Sequence, residues 1–396
     1  MAEADKVTSL YVHVPFCAHK CEYCAFFSQA PSGDVVNRYV KALVKELSLI
    51  AERAKPRTVF FGGGTPSLLN LAQWKEVLSG MERLGLLGAE EWTVECNPAT
   101  VSLDKARLLR DHGVNRISMG VQSLDEGLLE RLGRIHSREM VFKSYDILRS
   151  AGFENINLDL MFAIPGQTME VWRKTLDEII SMQPEHLSSY EVIYEEDTPL
   201  YAQLKAGQFD VDEELACAMY EELIDLAALR GYTQYEIANF GSGAVSEFVP
   251  ARACQHNLVY WRGGSYFGVG PSASEHVDGR RTRNWANTIL YCEQLEKGLR
   301  AIDFKEELTP FQRAGETALF GLRMNAGWRF DEFVSVTGCD LRKHWRPVMD
   351  TLVARGWAIE DAERFRLSRQ GLRFADAAGE EFLVLDDEAQ SLSRHP

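Results

Sequence analysis

The feature that most restricts the fold of this 396-residue chain is an alternation in its first half. Apolar, strand-like runs occur at residues 10–14, 58–61, 92–95, 116–121, 155–161 and 186–192. Between them lie segments of helical periodicity. One carries Val40, Leu43, Val44, Leu47 and Ile50 on a single face; the others span 71–84, 102–111, 137–151 and 169–181. Strand–helix alternation implies parallel strands with helices packed outside them. Six such units are two short of a closed eightfold barrel. A partial barrel and an open, doubly wound sheet both satisfy the pattern.

In folds of this class the chemistry gathers at the C-terminal ends of the strands. The polar and glycine-rich motifs fall there. A cysteine loop follows the first run, GGGTPS the second, ECNP the third, GVQS the fourth and LDLMFAIPGQ the fifth, while SSYEVI ends the sixth. The loops therefore converge on one rim.

The first loop, HVPFCAHKCEYCAFF, holds Cys17, Cys21 and Cys24 in C-x3-C-x2-C spacing. Three thiolates this close suit an iron–sulfur cluster, which cysteine sulfur holds. No fourth cysteine is adjacent, because Phe26 occupies the position two after Cys24. Three ligands leave one iron open to chelate a small molecule. A zinc site is the alternative, with His13 or His19 as fourth ligand, although zinc favours paired C-x2-C or Cys/His spacing. The three glycines 62–64 let the backbone come close to a ligand, or simply form a tight turn before Pro66. Glu95 and Asp159 end apolar runs. An unpartnered buried carboxylate costs several kcal/mol, roughly, so each is expected to meet a hydroxyl or a cation.

Beyond the alternation, 212–230 reads as helix, 232–240 as extended and 241–285 as irregular. From about 305 the character changes. Helices are expected at 308–322, 330–337 and 341–355, a hairpin from 357–359 and 365–367, and a helix at 368–378. The pattern resembles a winged helix. The expected organisation is α/β: six (βα) units over 1–240, as a partial barrel or an open sheet, an irregular stretch over 241–304 and a smaller α+β domain over 305–396. Residues 340–381 carry eight Lys/Arg and eight Asp/Glu, and the whole chain has net charge −15. Nucleic acid and anionic membrane surfaces want a basic face, so neither is expected as a partner. The start lacks a basic segment followed by an apolar run, and nothing approaches a membrane-spanning length. The five remaining cysteines are scattered, unlike a disulfide framework, and an iron–sulfur cluster needs a reducing compartment. A cytoplasmic location is expected, with a frayed C-terminus.

C-x3-C-x2-C with Tyr23 before the last cysteine resembles the radical S-adenosylmethionine (SAM) superfamily. YVHVPFC, FFGGGTPSLL, ECNP, GVQS, LDLMFAIPGQT and YEIANF, in that order, resemble one branch of it. That branch holds the oxygen-independent coproporphyrinogen III dehydrogenases and the HemW-type haem chaperones. The resemblance implies a partial six-unit (βα) barrel, and a 4Fe–4S cluster on Cys17, Cys21 and Cys24 with SAM chelated by the open iron. It implies SAM contacts from Gly63, Gly64 and Thr65, the last two at the methionine end. Glu95, Gln122 and Asp159 would contact ribose or amino groups, and Arg134 the methionine carboxylate. Tyr11 and Tyr23 would flank cluster and SAM, or pack beneath the loop.

Two features separate the functions. The dehydrogenases resembled here carry a further cysteine at the position of Phe26 and a longer segment ahead of the motif; this chain has sixteen residues before Cys17. Residues 256–261, HNLVYW, match the haem-associated motif of the chaperones. His256 would then contact haem, with Tyr260 and Trp261 packing on the macrocycle; the alternative is a buried histidine among core aromatics. The following GPSASE has Ser274 where the family often has histidine, so His276 or nothing takes that place. The favoured expectation is a carrier that passes haem to an acceptor protein, with SAM and cluster supporting dimerisation or release. The alternative is oxidative decarboxylation of coproporphyrinogen III, which requires SAM cleavage and an electron donor.

Overall fold

The computed structural model describes residues 6–383. The expected terminal fraying lies outside them. Six parallel strands, β1 (Val7–Val14), β2 (Ala54–Gly63), β3 (Glu91–Cys96), β4 (Arg116–Gln122), β5 (Ile156–Phe162) and β6 (His186–Glu191), pair strictly in chain order. A doubly wound sheet reverses its order at a switch point. This sheet does not, so its crossovers all run one way and the partial barrel is the correct alternative. Its edges are extended by Phe267–Val269, parallel to β1, and by the antiparallel strands Asn239–Gly241 and Thr233–Glu236 beside β6. The edge strands do not pair with each other, which leaves the barrel open.

The outer helices follow from amphipathic sequence and local caps. Met169–Ser181 buries Trp172, Leu176 and Ile179, and its N-cap Thr168 accepts a hydrogen bond from the Val171 N–H. Leu71–Arg83 starts on a capping box of Asn70 and Gln73. These faces, with Val59, Phe61, Trp92, Val94 and Leu158 from the strands, make the main core.

Residues 241–304 are not irregular. They form the helix Gln255–Trp261, the strand Phe267–Val269, an antiparallel sheet of Ser274–Val277, Arg280–Asn284 and Ile302–Glu307, and the helix Thr288–Glu296. Elements of three to nine residues, turning at Gly270 and Gly279 with positive φ, are too short to register as periodicity. Glu46, fully buried on Val35–Ile50, ties the region to the barrel. It accepts from the Gly270 N–H at 2.8 Å, Asn284 Nδ2 at 2.9 Å and Tyr291 Oη at 2.8 Å, and lies 3.6 Å from Arg300.

The C-terminal part has a separate core around Trp328, Phe333, Trp345, Phe365 and Phe382. The hairpin is Ala358–Glu360 with Arg364–Leu367, and Trp328–Arg329 adds a third strand, as in a winged helix. The expected helix over 341–355 breaks at Trp345, because Pro347 cannot continue one. Among the described residues no helix is long and apolar enough to cross a membrane.

Glu46→Ala leaves Arg300, Asn284 and Tyr291 without their shared partner. It is expected to cost about 3 kcal/mol and lower the thermal midpoint of the full chain. An unchanged midpoint would remove Glu46 as the tie.

Candidate functional site

The cysteine loop leaves β1 and is pinned at both ends by backbone. Cys17 N–H donates to Gln29 at 3.1 Å, Gln29 N–H to Pro15 at 2.8 Å and Glu22 N–H to Leu132 at 3.0 Å. Tyr23 packs with Leu128, Leu132, Met161 and Leu200, so it serves as the loop's apolar anchor. Cys17, Cys21 and Cys24 are half-buried free thiols. Phe26 is 69% exposed and offers no sulfur beside them.

The glycine turn meets this loop from β2. Gly64 N–H donates to Val14 and Thr65 N–H to Phe16, each at 2.8 Å, while Thr65 Oγ1 lies 3.6 Å from Cys17 Sγ. Only glycine fits here. A Cβ on Gly64 would stand 2.7 Å from the Phe16 carbonyl oxygen, and one on Gly63 (φ +103°) 2.5 Å from the His13 ring. That ring receives the Tyr11 hydroxyl at Nδ1 (3.1 Å) and donates from Nε2 to Phe27 (2.9 Å), so Tyr11 faces into the barrel beside the loop.

Arg134 approaches from the other side. Its Nη1 lies 3.5 Å from Cys21 Sγ, its Nη2 donates to the Gly120 carbonyl at 2.5 Å, and its buried Nε has no partner among the described residues. Gly120 permits this, since a Cβ there would sit 3.3 Å from Nη2. The register of β4 slips between Gly120 and Gln122, and Gln122 takes φ +67°, which re-aims its amide at the rim.

Asp159 meets the hydroxyl expected of it, whereas Glu95 meets a backbone N–H instead. Glu95 Oε2 accepts from the Gly63 N–H at 3.2 Å. Asp159 accepts from Asn157 Nδ2 at 2.7 Å and Ser118 Oγ at 3.2 Å. Burial, with Asp159 nearby, pushes Glu95 up to about 8; burial also raises Asp159. The Arg134 Nε is thus a buried donor with no protein acceptor among the described residues.

Sequence reasoning missed the buried polar side chains below this rim: Arg116, Ser118, Asn157, His186 and Ser188. The signal was present as period-two polarity within β4, β5 and β6, overlooked because those runs were read as apolar.

His256, Tyr260 and Trp261 lie at the opposite end of the barrel. His256 is 1% exposed. Its Nδ1 is 3.0 Å from both Ser9 Oγ and Thr58 Oγ1, and its Nε2 is 2.7 Å from Tyr260 Oη. Glu91 anchors the helix below by accepting the Gln255 and His256 N–H groups at 2.9 Å. Burial lowers the His256 pKa to about 3. In this structure both ring nitrogens are hydrogen-bonded to hydroxyls, and His256 is a strut between β1, β2 and the helix. Tyr260 and Trp261 are half-buried and line a separate cavity.

The sheet order and this rim define a radical SAM protein. The radical SAM superfamily profile matches residues 11–179 and the HemN C-terminal domain profile residues 308–374. Heme chaperone HemW of Lactococcus lactis is 33% identical over 97% of this chain and 99% of its own length; that of Bacillus subtilis is 34% identical over 92% and 96%. HemW of Escherichia coli is 33% identical over 95% and 98%. The chain belongs to the HemW family of the radical SAM superfamily. The solved structure of coproporphyrinogen III oxidase (HemN) from Escherichia coli superposes with a TM-score of 0.82 at 20% identity, over 96% of this chain and 91% of that one, and so shares the fold. A radical SAM domain carries a 4Fe–4S cluster and binds SAM. The three thiols with no fourth, the glycine cradle and the orphaned Arg134 nitrogen fit that pair.

Because Glu95 is raised in the folded state, its contribution to stability is complete below pH 4.5 or so and is lost as pH rises through about 8. Glu95→Gln should therefore match the wild type in thermal midpoint near pH 4.5 and exceed it near pH 9. A constant difference across that range would contradict the raised carboxyl.

Proposed function

We propose that this protein is a haem chaperone, which binds haem and hands it to an acceptor protein. Cys17, Cys21 and Cys24 hold the 4Fe–4S cluster, and SAM docks on its open iron. Gly63, Gly64 and Thr65 cradle the methionine end, Arg134 pairs with its carboxylate, and Gln122, Asp159 and Glu95 take ribose and amino groups. Tyr11 and Tyr23 support the loop. The bound cluster and SAM supply one-electron chemistry when an electron donor is present; the chain's own residues position SAM and exclude water.

The observation that carries the chaperone reading is full-length similarity to proteins named heme chaperone HemW, together with Phe26 at the end of the cysteine motif. The dehydrogenase reading rests on fold alone, through the Escherichia coli oxidase at 20% identity. The lack of a basic face disfavours nucleic acid, and a reducing cytoplasm suits the exposed cluster loop. Dimerisation, linked to SAM or cluster occupancy, is part of the same reading.

Anaerobically reconstituted protein is expected to give saturable haem binding by its Soret band and to form no protoporphyrinogen from coproporphyrinogen III with SAM and reductant. Catalytic protoporphyrinogen formation would overturn the chaperone reading. Cys24→Ser should lose cluster iron while retaining thermal stability within about 1 kcal/mol, since the half-buried thiol packs little.

A further inference from the structure

Two side chains meet the cysteine sulfurs, and each is held by contacts that do not involve sulfur. The Thr65 hydroxyl lies 3.6 Å from Cys17 Sγ and has no other hydrogen bond among the described residues. Its backbone is set by the Thr65 N–H, which donates to the Phe16 carbonyl at 2.8 Å. Arg134 Nη1 donates to Cys21 Sγ at 3.5 Å, while Nη2 donates to the Gly120 carbonyl at 2.5 Å. The Arg134 N–H donates to Leu129 at 2.9 Å, so main chain and guanidinium are both fixed. Among the described residues no other side chain is hydrogen-bonded to Cys17, Cys21 or Cys24 sulfur.

A free thiol can donate or accept in such a contact, whereas an iron-bound thiolate can only accept. With iron on Cys17 the Thr65 hydroxyl must therefore turn its proton to the sulfur. Arg134 brings a permanent positive charge to Cys21, and it is half-buried, which limits screening by salt. Reduction adds an electron to a group that is already anionic, and part of that charge spreads onto sulfur. Hydrogen bonds to the sulfurs and nearby cations stabilise the reduced state more than the oxidised one, which raises the potential. Donors fixed in advance do this without reorganising.

We infer that Thr65 and Arg134 are positioning residues that set the cluster's reduction potential, through Cys17 and Cys21 respectively, above the value the three cysteines alone would give. The inference rests on the cluster reading of the cysteine loop. It gives Thr65 a task besides contact with SAM, and gives Arg134 one that it performs before SAM arrives. The step concerned is uptake of one electron from an external one-electron reductant; no bond forms or breaks and no proton is transferred. Arg134 contributes the larger share, because a hydrogen bond from a charged donor is stronger than one from a hydroxyl.

A redox titration of the anaerobically reconstituted full chain, followed by EPR in the absence of SAM, tests this. Thr65→Val deletes the hydroxyl and keeps the branched shape. It should lower the equilibrium constant for reduction about fivefold, or roughly 40 mV at about 59 mV per tenfold for one electron. Thr65→Ser restores the hydroxyl and should return the wild-type potential. Arg134→Met should lower the constant about thirtyfold, roughly 90 mV, and Arg134→Lys, which keeps the charge, should fall between. Iron and sulfide content equal to wild type, with unaltered circular dichroism, establishes that each variant is loaded and folded. If Arg134→Met does not hold the cluster, the Thr65 series decides. Thr65→Val and Arg134→Met at the wild-type potential would overturn the inference while leaving the cluster in place. Equal shifts in Thr65→Val and Thr65→Ser would also overturn it for Thr65, since the change would then follow shape and not the hydroxyl. A wild type that assembles no iron–sulfur cluster would instead overturn the cluster reading.

Discussion

Two backbone hydrogen bonds, from Gly64 N–H to Val14 and Thr65 N–H to Phe16, hold the cysteine loop against the end of β2. Everything at the rim depends on that clamp. It brings Thr65 to Cys17, and it requires glycine because a side chain would occupy the space of two carbonyls. Tyr23 secures the far half of the loop by burial, and Arg134 reaches Cys21 from the segment after β4. Backbone, apolar anchor and guanidinium together pre-arrange three thiols before any cofactor arrives, which spares a binding site the entropy of ordering a loop.

The barrel interior is polar from rim to base. Asp159 is bonded to Asn157, Asn157 Oδ1 to His186 Nδ1 at 2.6 Å, His186 Nε2 to Tyr235 Oη at 2.8 Å, and Tyr235 to the Cys254 N–H at 3.1 Å, where the helix Gln255–Trp261 begins. Buried polar groups are costly unless paired, and here nearly every one is. The open ends of the column are Arg116 Nε in the middle and Arg134 Nε at the rim, and the rim is where a cationic, carboxylate-bearing ligand would complete the set.

Much of this was legible in the residues. Six apolar runs, each ending in a distinct polar or glycine motif, were enough for the parallel order and for the convergence of Cys17, Gly64, Glu95, Gln122 and Asp159 on one rim. The short elements of 241–304 were not, because strands of three to five residues have no period to detect. The depth at which His256 lies was not legible for a related reason. A motif records which residues occur together, while burial under Ser9, Thr58 and Tyr260 is set by a helix whose docking depends on Glu91, far away in sequence.

The central claim is that three thiols hold a cluster whose remaining iron is open to SAM. EPR of the anaerobically reduced, reconstituted protein tests it most directly. The account predicts a reduced 4Fe–4S signal whose g-values shift when SAM is added, and which Arg134→Leu makes less responsive. A signal indifferent to SAM, or zinc in place of iron and sulfide, would contradict it.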